Sequence, residues 1–413
     1  MNQTIEKILI ILIAVTFIVP GFQSIDELFP EFLYLSIVQG IIIFYLLFFK
    51  KINYLFYFKN YSILFFLIFL VISLISIFQA INKQETFIEL LYYFTYFLAY
   101  TNAFILFKDK PFKFYTSLIA VLLFIESGKV IYEFLKIYDY NSPLLRSPLY
   151  AGFSANVNIT AFSMLFKIPI LLYIISKDKE KYTYKNPAIY LLLFITTFAI
   201  FLCYSRGAIL ALFTISVFYL VFLFVRKNSF AHAIIFLLVI ISAYGSNKIL
   251  MYNSNSDVIE RASTLNLSDE NSSANYRLGY YYDALKGAFE KPILGWGLGN
   301  WKIVSTHFAK NRMKEYQVGY HAHNDFLQLM AETGIIGGLM YILFIFSPLF
   351  FFIKKFKNHK REQKRIFFFL TLMFLIFFID SNLNFPRARP TSIVNICLLI
   401  AVSYNQIEKK KNE

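Results

Sequence analysis

The feature that most constrains this chain is an apolar stretch of about twenty residues that keeps returning. A helix needs roughly 17 to 25 such residues to cross the hydrocarbon of a bilayer. Candidate crossings centre on residues 5–22, 31–49, 61–80, 88–107, 114–135, 155–176, 186–203, 207–226, 229–246, 334–353, 366–380 and 388–404. The stretch at 366–380 is short and is expected to borrow flanking residues. With 58% hydrophobic and 16% charged residues, and 50 Phe beside 30 Tyr, the chain carries more apolar and aromatic surface than a water-facing globule could hide. The expected fold is all-α: a polytopic integral membrane protein of about twelve transmembrane helices. The first stretch lacks a small-residue cleavage site and is followed at once by further spans, so it reads as a retained helix.

The formal charge of +15 would fit nucleic acid, an anionic substrate or membrane topology. Position decides among them. Lys7, Lys50, Lys51, Lys59, Lys108, Lys110, Lys113, Lys177, Lys179, Lys181, Lys185, Arg226 and Lys227 occupy the N-terminus and alternate short loops. The seven basic residues between Lys354 and Arg365, and Lys409 to Lys411, continue the alternation, so that 23 of the 40 basic residues fall on one side. By the positive-inside rule that side is cytoplasmic, both termini with it, and nucleic acid need not be invoked. Cys203 and Cys397 both lie in apolar runs, which leaves neither a disulfide framework nor a cysteine metal cluster.

One external loop differs from the rest. Residues 247–331 are mostly polar and nearly charge-balanced, the only candidate for a subdomain outside the membrane. The expected organisation is therefore helices 1–9 in 1–246, the external loop in 247–331, and helices 10–12 with a basic tail in 332–413. The loop opens on a Ser/Asn-rich stretch expected to be mobile. NYRLGYYYDALKGAFE follows with helical spacing, Leu278, Tyr281, Tyr282, Leu285 and Phe289 on one side, and Lys291 and Pro292 stop it. GWGLGNW is a glycine-rich turn, and HAHNDFLQLMAETGIIGG leads into the next span.

Five polar features fall on the external face. In YSRGAILAL, Arg206 stands at the outer start of the eighth span, where a cation and a positive helix end would together suit a phosphate; a snorkelling interfacial Arg is the alternative. Arg277 begins the amphipathic segment and on its own residues reads equally as a solvated loop Arg. His321 and His323, in His-Ala-His-Asn-Asp, offer imidazoles that can take a proton from a hydroxyl nucleophile near neutral pH. As a zinc chelate they would need third and fourth ligands, which appear at no recognisable spacing, and as a plain helix entry the motif would cap the next helix. Asn158 lies in GFSANVNITA at the mouth of the sixth span. Asp380, Asn384, Arg387 and Arg389 return to the same face in DSNLNFPRARP. Inside the fifth span Glu126, Lys129 and Glu133 share a helical face, as an interhelical ion pair or a transport path.

These motifs resemble the O-antigen ligase and polymerase superfamily of bacterial inner-membrane glycosyltransferases. The similarity rests on YSRGAILAL, on the run from Arg277 through KPILGWGLGNW, and above all on HAHNDFLQLMAETGIIGGLMYI, with GFSANVNITA a weaker match. It covers about residues 146–350.

The resemblance implies a metal-independent, inverting, C-type glycosyltransferase with its active site in the periplasm and no cofactor. Its donor would be a glycan on undecaprenyl diphosphate. For an O-antigen ligase the acceptor is lipid A-core; for a polymerase, the alternative, it is a second lipid-linked repeat unit. Carried over by position, Arg206 and Arg277 would bind the donor diphosphate and His323 would be the base, with His321 the competing choice. Asn324, Asn158, Asp380 and Arg387 are further residues that could contact substrate. A protein O-oligosaccharyltransferase is a third relative, and a lipid-linked oligosaccharide transporter is the alternative from another class. A transporter should place its polar groups near the bilayer midplane rather than at one face.

Overall fold

A helix falls within each of those apolar stretches in the computed structural model, which describes residues 2–20, 22, 24, 26–139, 148–154, 156–177, 187–225, 230–254, 273–309 and 319–408. The basic positions 179, 181, 185, 226, 227 and 409–411, and most of the Ser/Asn-rich stretch, lie outside them. The helices are α1 Asn2–Ala14, α2 Phe29–Phe44, α3 Tyr61–Ile75, α4 Lys83–Phe107, α5 Phe112–Ile137, α6 Val157–Lys177, α7 Pro187–Leu202, α8 Arg206–Val225 and α9 Phe230–Leu250. There follow α10 Ser273–Glu290, α11 Trp301–Ala309, α12 Asp325–Lys355, α13 Arg361–Leu383 and α14 Pro390–Glu408, with no strand among the described residues.

Among the described residues nine helices are long and apolar enough to cross a membrane. The three remaining stretches fall short for visible reasons. α1 is 13 residues before a 3-10 turn, α7 is 16 residues, and α5 carries Glu126, Lys129, Glu133 and Lys136 along its length. The short stretch at 366–380 does extend into its flanks, as α13 of 23 residues. The chain is thus an all-α, multi-pass membrane protein.

The described helices sort into two compact units, Met1–Asp109, Asn266–Asn358 and Ser381–Glu413 in the first, and Lys110–Leu265 with His359–Asp380 in the second. In the first unit, α14 is the central helix: it packs along α4, and its apolar length is wholly enclosed. α12 packs on α3, and α10 packs on α12. Asparagines open these helices by accepting from otherwise unpaired N–H groups, Asn60 from Ser62 (2.9 Å), Asn82 from Glu85 (3.1 Å) and Asn324 from Leu327 (3.0 Å).

α12 is broken at Gly334, whose φ of 77° and ψ of 167° are open to glycine and strained for other residues. The break frees backbone groups, and the glycine-rich turn takes them up. Trp296 N–H donates to the Ala331 carbonyl (2.9 Å), Gly297 N–H to Glu332 (2.8 Å), and Ile335 N–H to Pro292 (2.9 Å). The positive φ of Gly295, Gly297 and Gly299 lets that turn lie against α12 and α4.

In the second unit α6 is enclosed by α5, α7 and α8, and it carries Lys167 fully buried. Lys167 Nζ lies 2.8 Å from Glu126 Oε1 and 2.9 Å from Ser163 Oγ. Of the charged stripe on α5, Glu126 thus forms an interhelical ion pair, while Lys129 and Glu133 pair within the helix (2.9 Å). Cys203 and Cys397 are buried free thiols.

Candidate functional site

The His-Ala-His-Asn-Asp segment is the entry to α12 and is held from both ends. Asn324 caps the helix and donates from Nδ2 to Asn382 Oδ1 (2.9 Å). The Ala322 N–H donates to Gln328 Oε1 (2.9 Å), one turn into the helix. Between these anchors His323 adopts φ +55°, a left-handed conformation that is uncommon outside glycine, though histidine tolerates it better than most residues, and that clusters at functional sites. Its carbonyl accepts from the Tyr281 hydroxyl (3.1 Å), which also donates to the Asn382 carbonyl, so α10 grips the loop as well.

The two imidazoles differ in setting. His321 lies flat on Phe385, ring centres 4.1 Å apart at 16°. His323 meets the same ring edge-on at 5.5 Å, with Tyr280 at 6.4 Å on another side. The Nδ1 atom of each is buried with no hydrogen-bond partner. Burial, with the charges of Arg387, His323, Arg389 and Lys302 behind it, pushes the His321 pKa down to about 3. Burial and then the Arg277 guanidinium push His323 down to about 4, against a hydrogen bond to the Leu383 backbone that raises it. Both rings are neutral at pH 7 and so can accept a proton.

Arg277 thus reaches the same place. It is half-buried near the start of α10, one turn before Tyr281, and its charge acts on both Tyr281 and His323. Within the first unit the structure brings together His321, His323, Asn324 and Arg277, as well as Tyr281, Phe385, Gln328 and Asn382, to which sequence reasoning gave no part in the site. Tyr281 was visible as a face residue of an amphipathic helix. Phe385 had no signal, since an aromatic ring in a loop of so aromatic a chain stands out from nothing.

Arg387 is placed differently from Arg277. It is 4% exposed, and its guanidinium is 3.4 Å from Asp325 and 3.5 Å from Glu332, both 1% exposed. Its Nη1 donates to Tyr93 Oη (2.9 Å), and its backbone N–H to Asp325 Oδ2 (2.9 Å). Glu332 Oε1 also accepts from Gln328 Nε2 (2.9 Å) and from the Trp301 N–H (3.3 Å). A continuous polar chain therefore runs from Arg387 through Glu332 and Gln328 to the backbone of the His loop. Among the described residues, no three His, Cys, Asp or Glu side chains group as a metal site.

The remaining candidates lie in the second unit. Arg206 is the first residue of α8, half-buried, directly after buried Ser205 and after Tyr204 with φ +47°. A tight turn thus presents the cation at a helix N-terminus, where free N–H groups and the helix dipole favour an anion. Asn158 is half-buried in the first turn of α6, but Asn156 supplies the oxygen that its N–H donates to (3.0 Å). The loop before it is tied to α5, because Gly152 N–H donates to Glu133 Oε2 (2.9 Å), while Lys129 pairs with Glu133 (2.9 Å). Asp380 is buried near the end of α13.

Comparison with known proteins agrees with the resemblance seen in the motifs. Residues 191–342 match the family model described as O-antigen ligase. A ComP-specific O-oligosaccharyltransferase of Acinetobacter baylyi is 23% identical over 254 residues, 59% of this chain and 44% of that protein. A Rickettsia conorii protein with the provisional name polysaccharide ligase is 32% identical over 81 residues, 19% of this chain and 20% of its own length. An uncharacterised Haemophilus influenzae protein is 29% identical over 117 residues, 27% of this chain and 28% of that one. The chain spans less than half the length of the curated relatives it matches.

Proposed function

From an O-antigen ligase domain at residues 191–342 of a multi-pass membrane chain, we propose that the protein transfers a glycan from undecaprenyl diphosphate to the sugar of lipid A-core, at the periplasmic face of the inner membrane. The observation that carries the reading is the pairing of a neutral imidazole on a tightly held loop with a guanidinium whose charge acts on it. His323 is the base: its neutral ring takes the proton as the acceptor hydroxyl attacks the anomeric carbon of the donor. The bond from that carbon to the diphosphate breaks with its electron pair, and attack from the opposite side inverts the sugar. Charge grows on the leaving diphosphate as the sugar departs, and Arg277 stands where it can offset that charge. Arg206, the other residue that the resemblance assigns to phosphate, is within the second unit a cation on a helix N-terminus. No metal ion is required, since guanidinium charge does the work on the leaving group.

The same geometry sets the two charges in competition. After burial, Arg277 is the largest influence holding the His323 pKa down. A diphosphate bound at Arg277 would cancel that repulsion and make His323 a stronger base only when donor is present.

His321 is the weaker candidate because it lies flat on Phe385, deeper, and with a pKa held lower. The test is transfer by the full chain in nanodiscs, given lipid-linked glycan and either lipid A-core, a second lipid-linked unit, or a protein acceptor. Extension of lipid A-core supports the ligase reading. Elongation of the lipid-linked unit would make it a polymerase, and glycosylation of protein would make it an oligosaccharyltransferase. His323→Ala should abolish transfer at normal protein levels. Full activity there, with loss in His321→Ala, would exchange the two roles.

A further inference from the structure

The helix that carries Arg277 has a second face that its chemistry does not explain. On α10, Asp283, Ala284 and Ala288 are buried, and Ala284 packs into a cluster with Trp301, Ala322 and Ala331. A helix lying on a protein surface in water turns its polar side away from such a core. Here the opposite side is apolar: Leu278, Tyr282, Leu285 and Phe289 are 52%, 65%, 40% and 70% exposed. At about 100° per residue these four fall within roughly 60° of arc, directly opposite the buried face. Ile293, just past the helix, is 70% exposed and extends the stripe.

The stripe ends at a membrane span. Ile293 belongs to the turn whose backbone packs on Gly334, and Ile335 N–H donates to the neighbouring Pro292 carbonyl at 2.9 Å. One residue on, Ile336 is 52% exposed and opens the outward apolar side of α12, followed by Leu339 and Leu343. The apolar surface of α10 is therefore continuous with the side that α12 turns to lipid. We infer that α10 is an interfacial helix, lying in the plane of the membrane with Leu278, Tyr282, Leu285 and Phe289 immersed at the boundary between headgroups and acyl chains. Lipid is the occupant this surface fits: a narrow apolar stripe flanked by Tyr281 on one margin and Lys286 on the other is the composition of a helix that floats at that depth. The inference depends on α12 spanning the membrane and stands apart from the glycosyl transfer proposed above.

Site-directed spin labelling tests it in the full chain. Both native cysteines are buried, so Tyr282→Cys and Phe289→Cys can be labelled singly in nanodiscs of phosphatidylethanolamine and phosphatidylglycerol. Collisions with dissolved oxygen report lipid, and collisions with a neutral nickel chelate report water. Both labels should give an oxygen-to-chelate ratio like that of Ile336→Cys, and chelate collisions several-fold fewer than at Glu290→Cys, which is exposed off the stripe. Chelate access at Tyr282→Cys and Phe289→Cys equal to that at Glu290→Cys would overturn the inference. So would shielding of both labels from oxygen and chelate alike, which would mean that a second copy or a partner protein covers the face.

Discussion

Arg387→Met should fail by unfolding the first unit, with substrate binding unaffected in the protein that remains folded. The wild-type guanidinium stands 3.4 Å from Asp325 and 3.5 Å from Glu332, and it is 4% exposed. Removing one member of a buried ion pair leaves the other charge without compensation and costs about 3–5 kcal/mol. The hydrogen bond to Tyr93 goes as well, but it shares partners with the pair, so its ~1.5–3 kcal/mol does not simply add. A net loss of about 4 kcal/mol shifts the folding equilibrium by a factor of about a thousand. Both tryptophans of the chain, Trp296 and Trp301, lie in the first unit, and the Trp301 backbone donates to Glu332. Intrinsic fluorescence during thermal unfolding in detergent therefore reads the right region, and the midpoint should fall by many degrees. The triple variant Arg387→Met, Asp325→Asn, Glu332→Gln removes all three charges yet keeps acceptors for Gln328, Trp301 and the backbone of residue 387. It should recover most of the lost stability. An Arg387→Met protein that unfolds like wild type but transfers nothing would refute this reasoning and make Arg387 a substrate ligand.

Other expectations follow from single features. Gly295→Ala would place a Cβ 2.4 Å from the Glu332 carbonyl carbon at φ +65°, so it should prise the glycine turn from α12 and cost about 3 kcal/mol, at least one backbone hydrogen bond plus strain. Gly40→Ala, with open space around it in α2, should be neutral or stabilising by up to ~1 kcal/mol in the same thermal assay. Lys167→Met alone should be destabilising because Glu126 is left buried and unpaired, and Lys167→Met with Glu126→Gln should be close to wild type. The two histidines give a pH dependence with a definite sign. Their folded pKa values, about 3 and about 4, lie below an ordinary histidine, so the unfolded chain binds protons first. Stability is then full above about pH 6.5, falls as the pH drops toward 4, and levels off below 3 to 4; His321→Phe and His323→Phe should each flatten that slope. For the reaction, the acid limb of kcat/KM should lie near pH 4, and that of kcat should lie higher if bound diphosphate relieves the Arg277 repulsion. An acid limb of kcat/KM at 6.5 would show that neither buried ring is the base.

The helices were legible because lipid makes length itself a signal: a chain that hides its backbone from hydrocarbon has few alternatives to a run of about twenty apolar residues. The ends were less so. α5 was readable as a helix, and Lys167, a lone charge inside another apolar run, was itself the signal for a buried partner, but the sequence alone did not say that the partner is Glu126. Arg387 illustrates the harder limit. A cation in an external loop looks the same whether it faces a ligand or two carboxylates some sixty positions upstream. There was a signal for the second outcome: Asp325, Gln328 and Glu332 fall at i, i+3 and i+7, one polar stripe down the entry of a membrane helix, and such a stripe has to meet something charged. The loop histidines could be picked out by type, but their difference in depth and their shared ring, Phe385, exist only after α13 has brought the chain back.

The break at Gly334 connects the length of α12 to the place of the site. Thirty-one helical residues would run about 46 Å, well beyond hydrocarbon about 30 Å thick. Divided at Gly334, the same element has 21 residues from Ile335 to Lys355, about 31 Å, which matches that thickness. With Ile335 to Lys355 as the crossing, the nine residues from Asp325 to Thr333 would lie outside the hydrocarbon, and at about 1.5 Å each they would raise the His loop by up to ~13 Å above its edge. A sugar on a lipid diphosphate sits beyond the phosphates, and the phosphates sit at the headgroups. On the function proposed above, a base lifted by that margin would meet the sugar, whereas a base at the mouth of an unbroken, tilted helix would meet the lipid tail. The glycine turn is what makes the arrangement affordable, because without the N–H groups of Trp296 and Gly297 the carbonyls freed at the break would face the membrane edge unpaired. On the same reading, the GWGLG stretch would serve the site through the backbone of α12, by holding the break that sets the height of His323.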